Sequence, residues 1–256
     1  MTLDALLFDL DDTLVTEWEG VHAAYAAVAR QVWGSDASEA RVRELTASAQ
    51  AIWDAEAPAD YCRRVHLDVE EGLFGGLLGG GADAEVAQAA SALLQRHAFD
   101  DALPTEWRLR TPELLQAWRR ARIEEVTLFP ETLAVLERWS ARLPLGLVTN
   151  GASAQQRRKL DATGLGRWFS AIAISEEVGV GKPDSEPFAA VLGELGAEPG
   201  AAAMVGNAPD RDIAGAIAAG VRPVWIRRPD NPDGELPAPD GVDVIADLRE
   251  LEALLA

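Results

Sequence analysis

The chain has 256 residues, 48% of them hydrophobic and 25% charged, enough to bury a large core in one generous domain or two smaller ones. Its 23 basic against 42 acidic residues leave a formal net charge of -19, a surface that repels nucleic acid and anionic lipid and so excludes both as expected partners. No apolar run reaches the ~20 residues of a membrane-spanning helix, Met1–Asp12 lacks the basic start of a secretory leader, and the single cysteine, Cys62, cannot pair internally, which suits a reducing, cytoplasmic setting.

Leu3–Leu10 is apolar except at its ends, as expected of a strand buried on both faces of a parallel sheet. From about Glu17 to Ile123 alanine-rich amphipathic stretches follow one another and predict helices without a strand. Thr111-Pro112-Glu113 is a helix start, with a capping residue and then proline in the first turn. Trp18, Trp33, Trp53, Trp107 and Trp118 all fall in this block and are expected to pack between helices. The glycine-rich Gly72–Gly81 lacks the Gly-Lys-Ser/Thr ending of a phosphate-binding P-loop and reads as a mobile connection between helices.

After Phe129-Pro130 the pattern alternates. Helices are predicted over Glu131–Ala141, Ala154–Ala162, Glu186–Leu195 and Asp212–Ala219. Strands are predicted over Leu145–Thr149, Ala171–Ser175, Ala202–Gly206 and Pro223–Arg227. Asp230–Asp240 reads as a surface loop before a last strand near Val244–Ala246. This alternation predicts an α/β fold, a doubly wound parallel Rossmann-like sheet, with the helical block inserted after the first strand. The expected division is a catalytic core of residues 1–16 and 124–256 and an all-helical cap of residues 17–123.

Four segments carry chemistry. Phe8-Asp9-Leu10-Asp11-Asp12-Thr13 places three acids within four residues at a strand end, costly unless something positive sits among them. On an extended backbone Asp9 and Asp11 project to one side, at the sheet edge where open α/β folds build their sites. One carboxylate as nucleophile beside one as proton donor suits covalent displacement at phosphorus; a solvated acidic turn is the alternative. Thr149-Asn150-Gly151 ends another strand with a hydroxyl and backbone N–H groups suited to phosphoryl oxygens. Gly181-Lys182-Pro183-Asp184 holds a lysine in a non-helical backbone that can direct its ammonium into a pocket. Gly206-Asn207-Ala208-Pro209-Asp210-Arg211-Asp212 offers oxygen ligands for a hard divalent cation, with a helix cap as the other reading of Asp212. Arg157, Arg158 and Lys159 read as a solvated helix face, as do Arg63 and Arg64. His22, His66 and His97 form no metal-binding pattern.

The ordered set Asp-x-Asp-x-Thr, Thr-Asn-Gly, Gly-Lys-Pro-Asp and Gly-Asn-(x)4-Asp resembles the four motifs of the haloacid dehalogenase-like hydrolases, in their phosphatase branch with a helical cap between motifs one and two. The resemblance runs from Leu3 to about Ala246. It implies a phosphatase with Asp9 as nucleophile, Asp11 as general acid/base and Lys182 as the catalytic cation. Thr149, Asn150 and Gly151 would hold the phosphoryl group, with Thr13 supporting the loop after the nucleophile and counted among the substrate-binding residues. Mg²⁺ would lie among Asp9, Asp11, Asn207 and Asp212, and the substrate would be a small phosphorylated metabolite. Asn207 departs from the usual acid of motif four and is expected to weaken Mg²⁺ binding, unless Asp210 compensates. A 2-haloacid dehalogenase is the rival within the family, although halide leaves without protonation and Asp11 would then have no task. A phosphate mutase would need its aspartyl-phosphate shielded from water. A non-catalytic phosphometabolite-binding protein is the rival from another class, but it has no need of a nucleophile and an acid in register.

Overall fold

Ala5, Leu6, Leu7 and Phe8 have no exposed surface, so the strand they form can lie only in the middle of a covered sheet. In the computed structural model, which describes residues 3–124, 126–228 and 237–255, with the side chains of Trp18 and Glu19 outside that description, it does. Six strands, β1 (Ala5–Phe8), β2 (Leu145–Thr149), β3 (Ala171–Ile174), β4 (Ala202–Gly206), β5 (Arg222–Ile226) and β6 (Asp243–Ile245), form one sheet in the order β3-β2-β1-β4-β5-β6. All pairings are parallel, with Phe8 opposite Leu147 on one side and Val205 on the other. The order reverses at β1, the switch point beyond whose carboxyl end such sheets open a crevice.

The helices, in chain order, are α1 (Trp18–Trp33), α2 (Glu39–Glu56), α3 (Ala59–Val65), α4 (Val69–Phe74), α5 (Ala82–His97), α6 (Thr111–Glu124), α7 (Thr132–Ser140), α8 (Ser153–Thr163), α9 (Ser175–Val178), α10 (Glu186–Leu195), α11 (Ala214–Ala218) and α12 (Leu251–Leu255). No described helix is long and apolar enough to cross a membrane. Proline in the first turn of α10 and Gly196, with φ +66°, at its end mark its bounds. Under the sheet, Leu7, Val148, Met204, Phe188, Val191 and Ala216 form one buried layer.

Two compact units result. The first comprises residues 1–16, 127–150 and 163–256; the second comprises 17–126 together with 151–162. Residues 151–162 thus belong with the helices and not with the sheet-bearing core expected over 124–256. The second unit is held by Tyr25, whose ring meets Trp118 and Phe99 edge-on at 5.8 and 6.3 Å. Trp53 and Trp118 are buried, while Trp33 and Trp107 are partly buried against the same core; the expected packing role of Trp18 lies outside the described residues. Gly72 is not part of a connection. It sits in α4, where an added Cβ would lie 2.5 Å from the Trp53 ring. Among the described residues no strand forms in this unit. Most of Asp230–Asp240 lies outside the described residues.

Two local differences from the sequence reading have clear causes. Strand β1 stops at Phe8 rather than Leu10, because Asp12 takes a left-handed backbone (φ +55°) and the chain folds back through Asp12 N–H to Val15 C=O at 2.7 Å. The helix expected from Asp212 begins as a wide turn over Pro209–Ile213. The amides of Arg211, Asp212 and Ile213 all donate to Ala208 C=O.

Candidate active site

The first unit gathers its chemistry at the carboxyl ends of β1, β2 and β4. Asp9 directly follows β1, and its N–H extends the ladder to Val205 C=O at 2.9 Å. Its carboxylate accepts from Lys182 Nζ at 2.5 Å; the same ammonium is 2.7 Å from Asp212 and donates to Val148 C=O at 2.8 Å. The side chains of Lys182 and Asp212 are each 2% exposed and that of Asp9 is 8% exposed. One buried cation therefore serves two buried carboxylates, with Asp11 near enough to add to the field at Asp9.

The electrostatic result is lopsided. Burial, then Asp212 and Asp11, push the Asp9 carboxyl up to about 7 against the opposing pull of Lys182. Burial alone would lower the Lys182 pKa, but Asp212 and Asp9 outweigh it and hold the pKa above its usual value. The site is short of positive charge.

Each partner is aimed by its loop. Asn150 clasps the Lys182 backbone twice: its Oδ1 accepts from Lys182 N–H at 2.8 Å and its Nδ2 donates to Lys182 C=O at 3.0 Å. Motifs two and three are thus locked together through an amide side chain. Asp212 reaches back to accept from Ala208 N–H at 2.9 Å, a bond inside the wide turn rather than a helix-end cap. Its approach requires Gly206, where an added Cβ would fall 2.4 Å from the Asp212 carboxylate. Asn207 takes its carbonyl bond from Trp225 Nε1 at 2.9 Å and lies 3.5 Å from the Thr13 hydroxyl.

Asp9, Lys182, Asp212 and, through its field, Asp11 come together as expected from the sequence. Thr149 is buried at the end of β2. Thr13 is fully buried with its hydroxyl 3.5 Å from Asn207 Oδ1, a contact that supports the loop after Asp9. The Asp210 side chain is 81% exposed and lies 3.7 Å from Arg211.

In the second unit, Gly151 (φ +119°) leads into α8. A Cβ there would meet the Glu71 carboxyl at 3.0 Å. Glu71 is a residue the sequence reading missed, although Asp68-Val69-Glu70-Glu71 carries the spacing of a capping box, and both of its bonds are present. Burial and then Asp68 hold its pKa well above the usual carboxylate range. Lys159 departs from the expected solvated face: it is 2% exposed and 2.9 Å from Glu17, whose same oxygen also accepts from the buried Arg122. His22 and His97 pair with Glu39 and Asp100 on the surface.

The donor set of the first unit suits a hard cation. Among the described residues no group of three or more His, Cys, Asp or Glu side chains is placed to hold a metal ion by itself. The raised Asp9 pKa and the excess of buried carboxylate over ammonium are what an added divalent charge would relieve.

The sequence pattern of haloacid dehalogenase-like hydrolases matches residues 3–220. A phosphoserine phosphatase of Thermus thermophilus is 37% identical over 250 residues, 96% of each chain. Among solved structures, a 2-haloacid dehalogenase of Pseudomonas syringae pv. Tomato superposes with a TM-score of 0.65 at 25% identity, covering 99% of this chain and 98% of that one. A HAD phosphatase of Thermococcus onnurineus gives 0.61 at 26% identity, over 99% and 98% of the two chains. This chain belongs to the haloacid dehalogenase-like hydrolases.

Proposed function

We propose that this chain hydrolyses a small phosphomonoester, with Mg²⁺ as cofactor, through an aspartyl-phosphate on Asp9. The observation that carries the reading is the buried Asp9–Lys182–Asp212 cluster with Asp11 beside it. It provides a nucleophile, a second acid and a fixed cation, with carboxylate in excess. The residues that would hold Mg²⁺ are Asp9, Asp11, Asn207 and Asp212. When bound, the ion offsets the charge of a phosphate dianion meeting these carboxylates.

The chain's own groups account for the remaining steps. The Asp9 carboxylate attacks phosphorus as the bond to the leaving oxygen breaks, and the Asp11 carboxyl gives that oxygen its proton. Asp11, now a carboxylate, takes a proton from water; the resulting hydroxide oxygen attacks phosphorus and Asp9 leaves. Lys182 favours the ionised Asp9 and offsets charge on the phosphoryl group. The Thr149 hydroxyl and the backbone N–H groups of Asn150 and Gly151 hold the phosphoryl oxygens. The helical unit acts as a cap that excludes water and selects the substrate.

Asp11 also favours this reading over dehalogenation, since expelling halide needs no proton donor. The test is phosphate release from a panel headed by phosphoserine, the compound named for the Thermus relative, with Mg²⁺ titrated and Asp9→Asn as control. Metal-dependent turnover lost in the control supports the proposal. Chloride released from a 2-haloacid without metal would replace it with dehalogenation. Metabolite binding without turnover would make the chain a binding protein.

A further inference from the structure

The four motifs occupy the ends of β1, β2 and β4 and the loop before α10, and none lies on β5. Yet β5 and the residues just after it reach two of them, all within the first unit. Trp225, fully buried, donates from Nε1 to Asn207 C=O. Three residues on, Arg228 donates to Thr13 C=O at 2.7 Å and to Glu131 Oε1 at 2.6 Å. Its guanidinium lies 3.5 Å from the centre of the Phe129 ring, and the residue is 7% exposed. The Thr13 hydroxyl, 3.5 Å from Asn207 Oδ1, closes the ring. The loops after β1 and β4 are thereby joined to each other and to one strand end.

The β1 loop needs such a hold. Asp12 is left-handed without being glycine, a conformation L-residues adopt at a cost. The chain around it is pinned by Thr132 Oγ1 donating to Leu14 C=O at 2.9 Å, and by Arg228 on the next carbonyl back. A buried ion pair is a poor source of stability compared with an apolar pair of equal volume. What a guanidinium fork supplies is direction, fixing a carbonyl and a carboxylate in one plane.

We propose that Arg228 is a positioning residue for the Asp9–Asp11 loop, acting through the Thr13 carbonyl, while Trp225 holds Asn207 in the same frame. Neither touches reacting atoms. The proposal rests on the reading of Asp9 as nucleophile.

The test compares Arg228→Gln and Arg228→Lys with the unaltered chain, all assayed well below their thermal midpoints. Three quantities are measured: kcat and KM for the best phosphomonoester, amide hydrogen exchange at residues 12–14, and the Trp225 indole N–H resonance without metal. Arg228→Gln is expected to lower kcat about 10-fold or more with KM nearly constant, because a small misplacement of reacting groups is expensive. Exchange at residues 12–14 should quicken and the indole resonance should move. Arg228→Lys, which keeps the charge without the fork, should restore only part of kcat. Unaltered kcat and exchange in Arg228→Gln would overturn the proposal, as would a lower thermal midpoint with kcat unchanged. If Arg228→Gln does not fold, Arg228→Lys at full kcat overturns it. If the unaltered chain hydrolyses no phosphomonoester, the reading of Asp9 fails by itself, and unchanged exchange and indole signals would separately sink the role of Arg228.

Discussion

Each unit buries an ion cluster, and the two have opposite charge balance. In the first, one lysine serves Asp9 and Asp212; in the second, Lys159 and Arg122 share one oxygen of Glu17. The carboxylates respond accordingly. Asp9 is pushed up to about 7, whereas Glu17, despite burial that works the other way, is brought down to about 2 by Lys159 and Arg122. Burial is the largest single influence on both and raises both; at Glu17 two neighbouring cations together outweigh it, whereas at Asp9 one lysine, opposed by Asp212 and Asp11, does not. A saturated carboxylate is structural material, while an undersupplied one is primed for a cation or a substrate.

Neutralising one carboxylate in each cluster should break the comparison most sharply. Glu17→Gln removes the carboxylate that Lys159 and Arg122 share and should cost about 3–5 kcal/mol, read as a fall in the urea midpoint. Asp9→Asn, in metal-free protein at pH 8, should raise that midpoint. The signs follow from linkage. The stability from Glu17 is present above its ordinary 4.5 and lost as pH falls to about 2. The contribution of Asp9 is fully present below 3.8 and lost as pH rises through about 7. A destabilised Asp9→Asn would mean that Lys182 already satisfies the first cluster.

Mg²⁺ binding should sharpen the same contrast. If Asp9 is a ligand, affinity should climb up to tenfold per pH unit and flatten above about 7, with a proton released on binding. Calorimetry in buffers of different ionisation enthalpy reads this directly, and flat affinity from pH 5 to 8 would remove Asp9 from the ligand set. Gly206→Ala should cost about 1–3 kcal/mol of stability through overpacking against Asp212 and weaken Mg²⁺ binding. Asn207→Asp supplies a charge that the first cluster lacks and should tighten Mg²⁺ about tenfold, the smallest of these effects. Unchanged affinity would show that the amide already ligates as well as an acid.

Much of the first cluster was legible in the sequence, because its residues sit on loops that short apolar strands punctuate. Leu145–Thr149 and Ala202–Gly206 could be read from composition to the residue, and the loops after them followed. The second cluster was opaque for a physical reason. Ser153, Gln156, Lys159 and Leu160 form the buried face of α8, so its inward side is largely polar and hydrophobic periodicity points nowhere. Three cations in a row at 157–159 look alike in sequence, yet only Lys159 turns inward while Arg157 and Arg158 remain exposed. Arg228 was hidden likewise, its partners Thr13 and Glu131 lying 215 and 97 positions away.

The chain passes between its two units at residues 16/17, 126/127, 150/151 and 162/163. The helical unit is therefore not a cassette. A graft of residues 17–126 onto a relative would arrive without Lys159, and with Glu17 holding only half of its countercharge. Arg158 over Phe74 and the close approach of Ala154 to Gly76 would be missing as well. The heritable piece is two segments long, and shuffling that exchanges one without the other produces a chimera with a mismatched seam.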